Sequence, residues 1–482
     1  MRRLLLVLTA AAALVLAGCT ADPQPQPSRS VVAPVRLATA RATVAVDGSS
    51  AAARAAAASR ALFTASPGVV LAPAGDSSAQ RAAAAAAVRL RVPLLLTGGG
   101  DAAVEARRLG ATWSVGFGAG SRLAGLRTRC ASASPPPLAS RPGAVVVATD
   151  ERADAVALAT AKAAGATVVA ARSTDLNGDP AVVKAIAAEE DDRVVLVGAA
   201  FASRADLAWS VAAARTGWTY ADGSQRAWDG RSLHVALYGT PSDGVLGVLG
   251  QQSGPATIAR VKALSRQYAK RTSRTVSPML EVIATVAAGG PTDDGDYSSE
   301  IDASTLEPYV DRALAAGVPV ILDLQPGRSD FLTQAKAYAS LLEKPGVGLA
   351  LDPEWRLGPK QKPLVQIGRV SAAEVNRTSA WLADLVRTKG LPPKPFVLHE
   401  FRLTMLQQRQ DVVVDRPELD VLIHVDGQGS QPDKQATWRA VRAGAPDVGW
   451  GWKNFLKKDR PVLTPQQTLQ QVHPTPDLIT YQ

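Results

Sequence analysis

Cysteine, histidine and aromatic residues are all scarce in this 482-residue chain. Two cysteines, Cys19 and Cys130, exclude a disulfide-stapled scaffold. The four histidines (His234, His399, His424 and His473) form no H-x-H or H-x-x-x-H spacing, so neither a metal nor any other cofactor is expected. Aromatics are 5% of the chain, while hydrophobic residues reach 46% and alanine dominates them. That balance points to α/β packing with small residues between helix and sheet. The net charge is +10, yet no Lys/Arg run exceeds pairs such as Lys457-Lys458. Scattered basic residues exclude a nucleic-acid footprint and leave a mild attraction to anionic envelope polymers. The apolar run Leu4 to Leu16 is too short for a stable membrane span.

What is present begins with that run. Arg2-Arg3 precede it as a positive n-region, and Leu16-Ala17-Gly18-Cys19 follows it. These four residues resemble a bacterial lipobox. The resemblance implies cleavage after residue 18, a diacylglycerol on Cys19 and a lipid-anchored protein outside the cytoplasm, in the envelope of a Gram-positive-type bacterium. Acylation of Cys19 would leave Cys130 as a lone thiol. Residues 19–35, rich in Pro, Gln and Ser, read as a flexible tether.

The length calls for two domains after the tether, at residues 36–222 and 223–482. The first alternates short apolar runs with alanine-rich helical stretches. Strands are expected at 69–72 and 92–97, with helices at 78–90 and 102–109. A second unit repeats the pattern, with strands at 143–149, 167–170 and 193–198 and helices at 154–164 and 181–188. The order predicts a parallel-sheet α/β domain of repeated units. The stretch 56–118, with V-V-L-A-P-A-G-D, V-P-L-L-L-T and R-R-L-G-A-T-W-S-V-G, resembles the cell wall-binding repeat 2 family. That resemblance implies non-covalent attachment to wall polymers. The Arg-Tyr pair of such repeats is missing, since Arg36-Leu37 and Arg41-Ala42 stand there. Gly98 to Ala103 fits G-x-G-x-x-A formally, but no acidic residue follows about 20 positions on, so it reads as a turn.

The second domain has the length of a TIM (β/α)8-like barrel. Eight strands are expected at 233–238, 280–286, 318–324, 347–352, 395–400, 421–426, 448–452 and 477–481, with helical patterns between most of them. Barrel chemistry sits at the carboxyl ends of the strands. Those ends carry Tyr238, Asp323, Asp352, Glu354, His399, Glu400, His424, Asp426, Trp450, Trp452 and Lys453, with Trp355 beside Glu354. Val347 to Trp355 (V-G-L-A-L-D-P-E-W) is expected to place Asp352 and Glu354 on one side of a strand.

Acids and tryptophans at one barrel face suit a sugar site, where paired carboxylates protonate a leaving oxygen and stabilise an oxocarbenium-like state. The segment resembles glycoside hydrolase barrels, and Asp352-Pro353-Glu354 resembles the D-x-E ending of the chitinase-like family 18. That family has a further aspartate where Ala350 stands here. The resemblance implies Glu354 as general acid, partnered by Asp352, Asp426 or Glu400. Tyr238, Asp323, Trp355, His399, His424, Trp450, Trp452 and Lys453 would bind the sugar. The expected function is a lipid-anchored envelope protein that binds, and if active hydrolyses, a wall or surface glycan. The alternatives are a non-catalytic glycan-binding scaffold and a transporter's solute-binding lipoprotein.

Overall fold

The computed structural model describes residues 33–140, 143–189, 193–242 and 244–482. Cys19, the leader and nearly all of the expected tether lie outside them. No helix among the described residues is long and apolar enough to cross a membrane. The chain forms two compact units, and each draws on separated stretches of sequence.

One unit comprises residues up to Ala38, Gly48–Pro142 and Ala155–Gly165. Its four-stranded parallel sheet runs in the order Leu94–Thr97, Gly68–Pro73, Trp113–Gly116, Arg127–Thr128. Helices Ala51–Leu62, Ser77–Leu90, Asp101–Leu109 and Ala155–Ala163 belong to it. Alanines such as Ala55, Ala56, Ala83 and Ala87 are buried, which lets these helices pack closely. Asp76 caps the second helix by accepting from the Ser78 and Ala79 amides.

The other unit comprises Thr39–Asp47, Gly143–Asp154 and Ala166–Gln482. It holds a second four-stranded parallel sheet and the barrel. That sheet runs Thr43–Val46, Arg193–Val197, Ala144–Ala148, Thr167–Ala170. The N-terminal half thus holds two parallel sheets. Thr43–Val46 precedes the first sheet in sequence but pairs in the second.

The barrel has eight parallel strands: β1 (Ser232–Gly239), β2 (Thr275–Ala287), β3 (Val320–Leu324), β4 (Val347–Leu351), β5 (Lys394–Glu400), β6 (Leu419–Val425), β7 (Gly449–Asn454) and β8 (Leu478–Tyr481). Neighbours pair in sequence order, and β8 closes on β1. Both faces of these strands are buried, which is why they read as nearly continuous apolar runs. The helical stretch after β3 is broken at Tyr338 into Phe331–Ala337 and Ala339–Leu342. Thr464 and Gln467 form a reciprocal capping box for the last helix. Ser371 caps its helix through the Glu374 amide, but the Glu374 carboxylate turns instead to Arg356 and the Phe331 amide.

Residues two apart on a strand share a face. Leu233, Val235 and Leu237 of β1 face outward into the cluster under the helices. Inward, Ala236, Met279, Ile321, Ala350, Val397, Leu422 and Leu478 form an apolar layer, one residue from every strand but β7. β7 contributes Gly451, where an added Cβ would lie 2.5 Å from His424 Cδ2. Trp218, Tyr220, Ala227 and Trp228 pack against this layer from the amino-terminal end. The boundary expected at 222/223 falls inside this plug.

Candidate active site at the barrel mouth

Two residues beyond the apolar layer, every strand delivers a polar side chain inward. The set is Tyr238, Glu281, Asp323, Asp352, His399, His424, Lys453 and Thr480, and all eight are buried. The layer arises from strict alternation on eight tilted strands, staggered by two residues at four of the pairings, so that Glu281 is opposite Ile321, Asp323 opposite Ala350, His424 opposite Gly451 and Thr480 opposite Ala236. Barrel enzymes carry their chemistry at this end.

His399 sits near the centre. Its Nε2 is 2.8 Å from Glu281 Oε1, and its Nδ1 is 3.2 Å from Asp426 Oδ2. Asp323 Oδ1 lies 3.7 Å from His399 Nε2. The His424 ring is tilted against His399, with centroids 4.9 Å apart. Its Nδ1 is 3.7 Å from Glu281 Oε2, and neither ring nitrogen has a hydrogen-bond partner. The Tyr238 hydroxyl donates to Asp323 Oδ2 at 2.7 Å, and Gln325 donates to that hydroxyl. Lys453 Nζ lies 3.6 Å from the Tyr238 ring centre and 3.9 Å from Asp426 Oδ2.

The environment separates the carboxyl groups into two classes. Burial, reinforced by the negative charge of Asp323, Glu354 and Asp426, pushes Asp352 well above the usual carboxylate range. Burial and then Asp426 push Glu354 up to about 7, against the pull of Lys453 and Lys458. Asp323 rises to about 6, chiefly through burial. Burial opposes ionisation of Glu281 and Asp426 too. The two histidines nevertheless hold Glu281 well below its ordinary value, and the His399 hydrogen bond lowers Asp426. Protonated acids and ionised carboxylates therefore share one mouth at neutral pH.

The site differs from the expected one in three places. Asp352 and Glu354 are not both on a strand. β4 ends at Leu351, and Pro353–Trp355 form a 3-10 turn capped by Asp352, which accepts from the Glu354 amide at 3.2 Å. Glu354 and Trp355 are half-buried in that turn, at the same end of the barrel. Glu400 follows the alternation away from His399 and pairs with Arg409 at 3.0 Å, whose guanidinium also donates to Val441 and Ala443 carbonyls. Trp450 and Trp452 face outward as well. They meet Trp438 of helix Gln431–Arg442 edge-on, at 6.1 and 5.7 Å between ring centres. Neither they nor Glu400 join the inward layer.

Glu281 is the central residue that strand ends alone do not reveal. It lies inside the run L-E-V-I-A-T-V, far from the end of the 13-residue β2. A carboxylate two positions after inward-facing Met279 was the available signal.

A cleft of about 140 Å³ opens at this face between the loops after β1 and β7, lined by Val245, Val248, Gln251, Phe455 and Lys458 among others. Phe455 lines this cleft, and its ring centre is 5.6 Å from Lys453 Nζ of the polar layer. No protein-family model matches the chain, and no curated protein is significantly similar to it.

Proposed function

We propose that the barrel acts on a cell-envelope glycan as a glycoside hydrolase. One observation carries this reading: a complete inward layer of polar side chains at the carboxyl end of a closed barrel, with Glu354 beside it. Glu354 is the general acid, because burial keeps its proton near neutral pH. Asp426 Oδ1 is buried and unpartnered, so it is placed to take a proton from water. Water attacks the anomeric carbon, the glycosidic bond breaks, and its oxygen takes the Glu354 proton while Asp426 receives one from water. Tyr238, Lys453 and Trp355 are the residues offered to the sugar.

The test is release of reducing ends from isolated wall or capsular polysaccharide. Glu354→Gln is expected to lower the rate by about 10²–10⁴-fold. Equal rates in both proteins would remove Glu354 from the role.

The non-catalytic reading is favoured by the closed mouth. Its cleft is smaller than the roughly 300–1,000 Å³ common for ligand sites, and no indole of β7 is turned toward it. Glycan binding that leaves the polymer uncut after long incubation would select that reading.

Anchoring through Cys19 and wall attachment through residues 36–222 are proposed from the lipobox-like and repeat-like sequences. Metabolic labelling with palmitate is expected to mark the wild-type chain and to fail with Cys19→Ser. Label retained in that variant would sink the anchor.

A further inference from the structure

We propose that Glu281, His399 and His424 form a binding site for one divalent transition-metal ion of the zinc class. It lies in the same mouth but does not depend on the glycan reading.

One carboxylate and two imidazoles converge from β2, β5 and β6, with ligand atoms all within 4.8 Å of one another. All three side chains are fully buried. Two nitrogens and one carboxylate oxygen are donors that zinc takes. Three protein donors on a four-coordinate ion leave one position for water or substrate.

The competing account is a plain ion-pair cluster. It serves His399, whose two nitrogens face Glu281 and Asp426. It does not serve His424. That ring is fully buried, and in any protonation state at least one N–H is left without an acceptor. Its Nδ1 stands 3.7 Å from Glu281 Oε2, too far for a hydrogen bond. Two donors bound to one tetrahedral ion at about 2.0–2.1 Å each would stand about 3.3 Å apart. The separation is thus nearer to that of shared ligands than to that of a hydrogen bond.

The surroundings support the same conclusion. Metal-binding imidazoles usually anchor their second nitrogen on a carboxylate, and His399 Nδ1 has Asp426 there. Ligating carboxylates are themselves hydrogen-bonded, and Thr480 Oγ1 donates to Glu281 Oε2 at 3.3 Å. Asp323 Oδ1, buried and unpartnered, is 3.7 Å from His399 Nε2. Gly451 leaves the room that the His424 ring occupies.

The experiment uses the full chain, stripped with chelator and titrated with Zn²⁺ by calorimetry. One equivalent is expected per chain, with affinity lowered by more than about 100-fold in Glu281→Gln. Co²⁺ loaded into the wild-type chain supplies a readout that needs no variant. The intense visible bands of a four-coordinate site are expected, and Zn²⁺ should abolish them. A folded wild-type chain that takes up neither ion overturns the proposal. So does Zn²⁺ uptake that Glu281→Gln and His424→Ala leave unchanged while both remain folded. Because no glycan is present, either failure leaves the Glu354 test untouched.

Discussion

Asp420→Ala is expected to destabilise the barrel by about 2–3 kcal/mol. Asp420 stands near the start of β6 and is buried against the plug. Its Oδ1 accepts from Arg226 Nη1 at 2.9 Å, and its Oδ2 accepts from the Ala227 amide at 2.7 Å. Arg226 holds Asp175 with its other nitrogens, at 3.0 and 3.1 Å. Removing Asp420 takes one of two carboxylates from a guanidinium that keeps Asp175 and the Pro417 carbonyl, and it leaves the buried Ala227 amide without an acceptor. The penalty comes from what remains, not from the pair itself. Replacing Arg226 and Asp420 together by apolar residues should recover only the part due to the guanidinium, because the Ala227 amide stays without an acceptor. Urea unfolding followed by tryptophan fluorescence measures both. A loss below about 1 kcal/mol for Asp420→Ala would mean that water reaches Arg226 and that the plug is not sealed.

Lys394→Met is expected to abolish a pH dependence of stability worth about 4 kcal/mol between pH 7 and pH 10. Lys394 is 1% exposed, and burial alone pushes its ammonium down to about 7. Its Nζ reaches only two carbonyl oxygens, of Lys344 and Val347, at 3.0 and 2.8 Å. The unfolded chain keeps this proton to about pH 10.4. Below pH 7 both states are charged, and the folded one bears the full penalty. From pH 7 upward the folded chain sheds a proton that the unfolded chain retains, so stability rises with pH. Urea midpoints at pH 6.5, 8 and 9.5 should rise in the wild type relative to the variant. Parallel profiles for the two proteins would rule the effect out.

The barrel was legible because each strand is an apolar run and the helices between carry their own periodicity. The eight expected strands all appear, with ends shifted by a few residues except at β2, which begins five residues earlier than expected, at Thr275. Reading strand ends also found most of the polar layer, since that layer occupies one height. It failed where the end of a run is not the height of the layer. Glu281 sits six residues before the end of β2, so a rule based on ends passed over it. Trp450 and Trp452 share a strand with Gly449 and Gly451, and a glycine gives no sign of which face it holds. Only the packing of Trp438 settles that. Pro353 ended β4 one residue early and turned an expected strand pair into a capped turn. The pairing of Thr43–Val46 in the second sheet was invisible for another reason. Four residues carry too little pattern to name a partner about 150 positions away.

Gly451 has a consequence for how this mouth could change. An added methyl there would meet the His424 ring at 2.5 Å, well inside contact distance. Any larger residue must push the imidazole, and with it the distance to Glu281, without altering a single polar group. The position acts as a volume control on the histidine pair. The reach of a fully buried imidazole is set by a residue that has no side chain of its own.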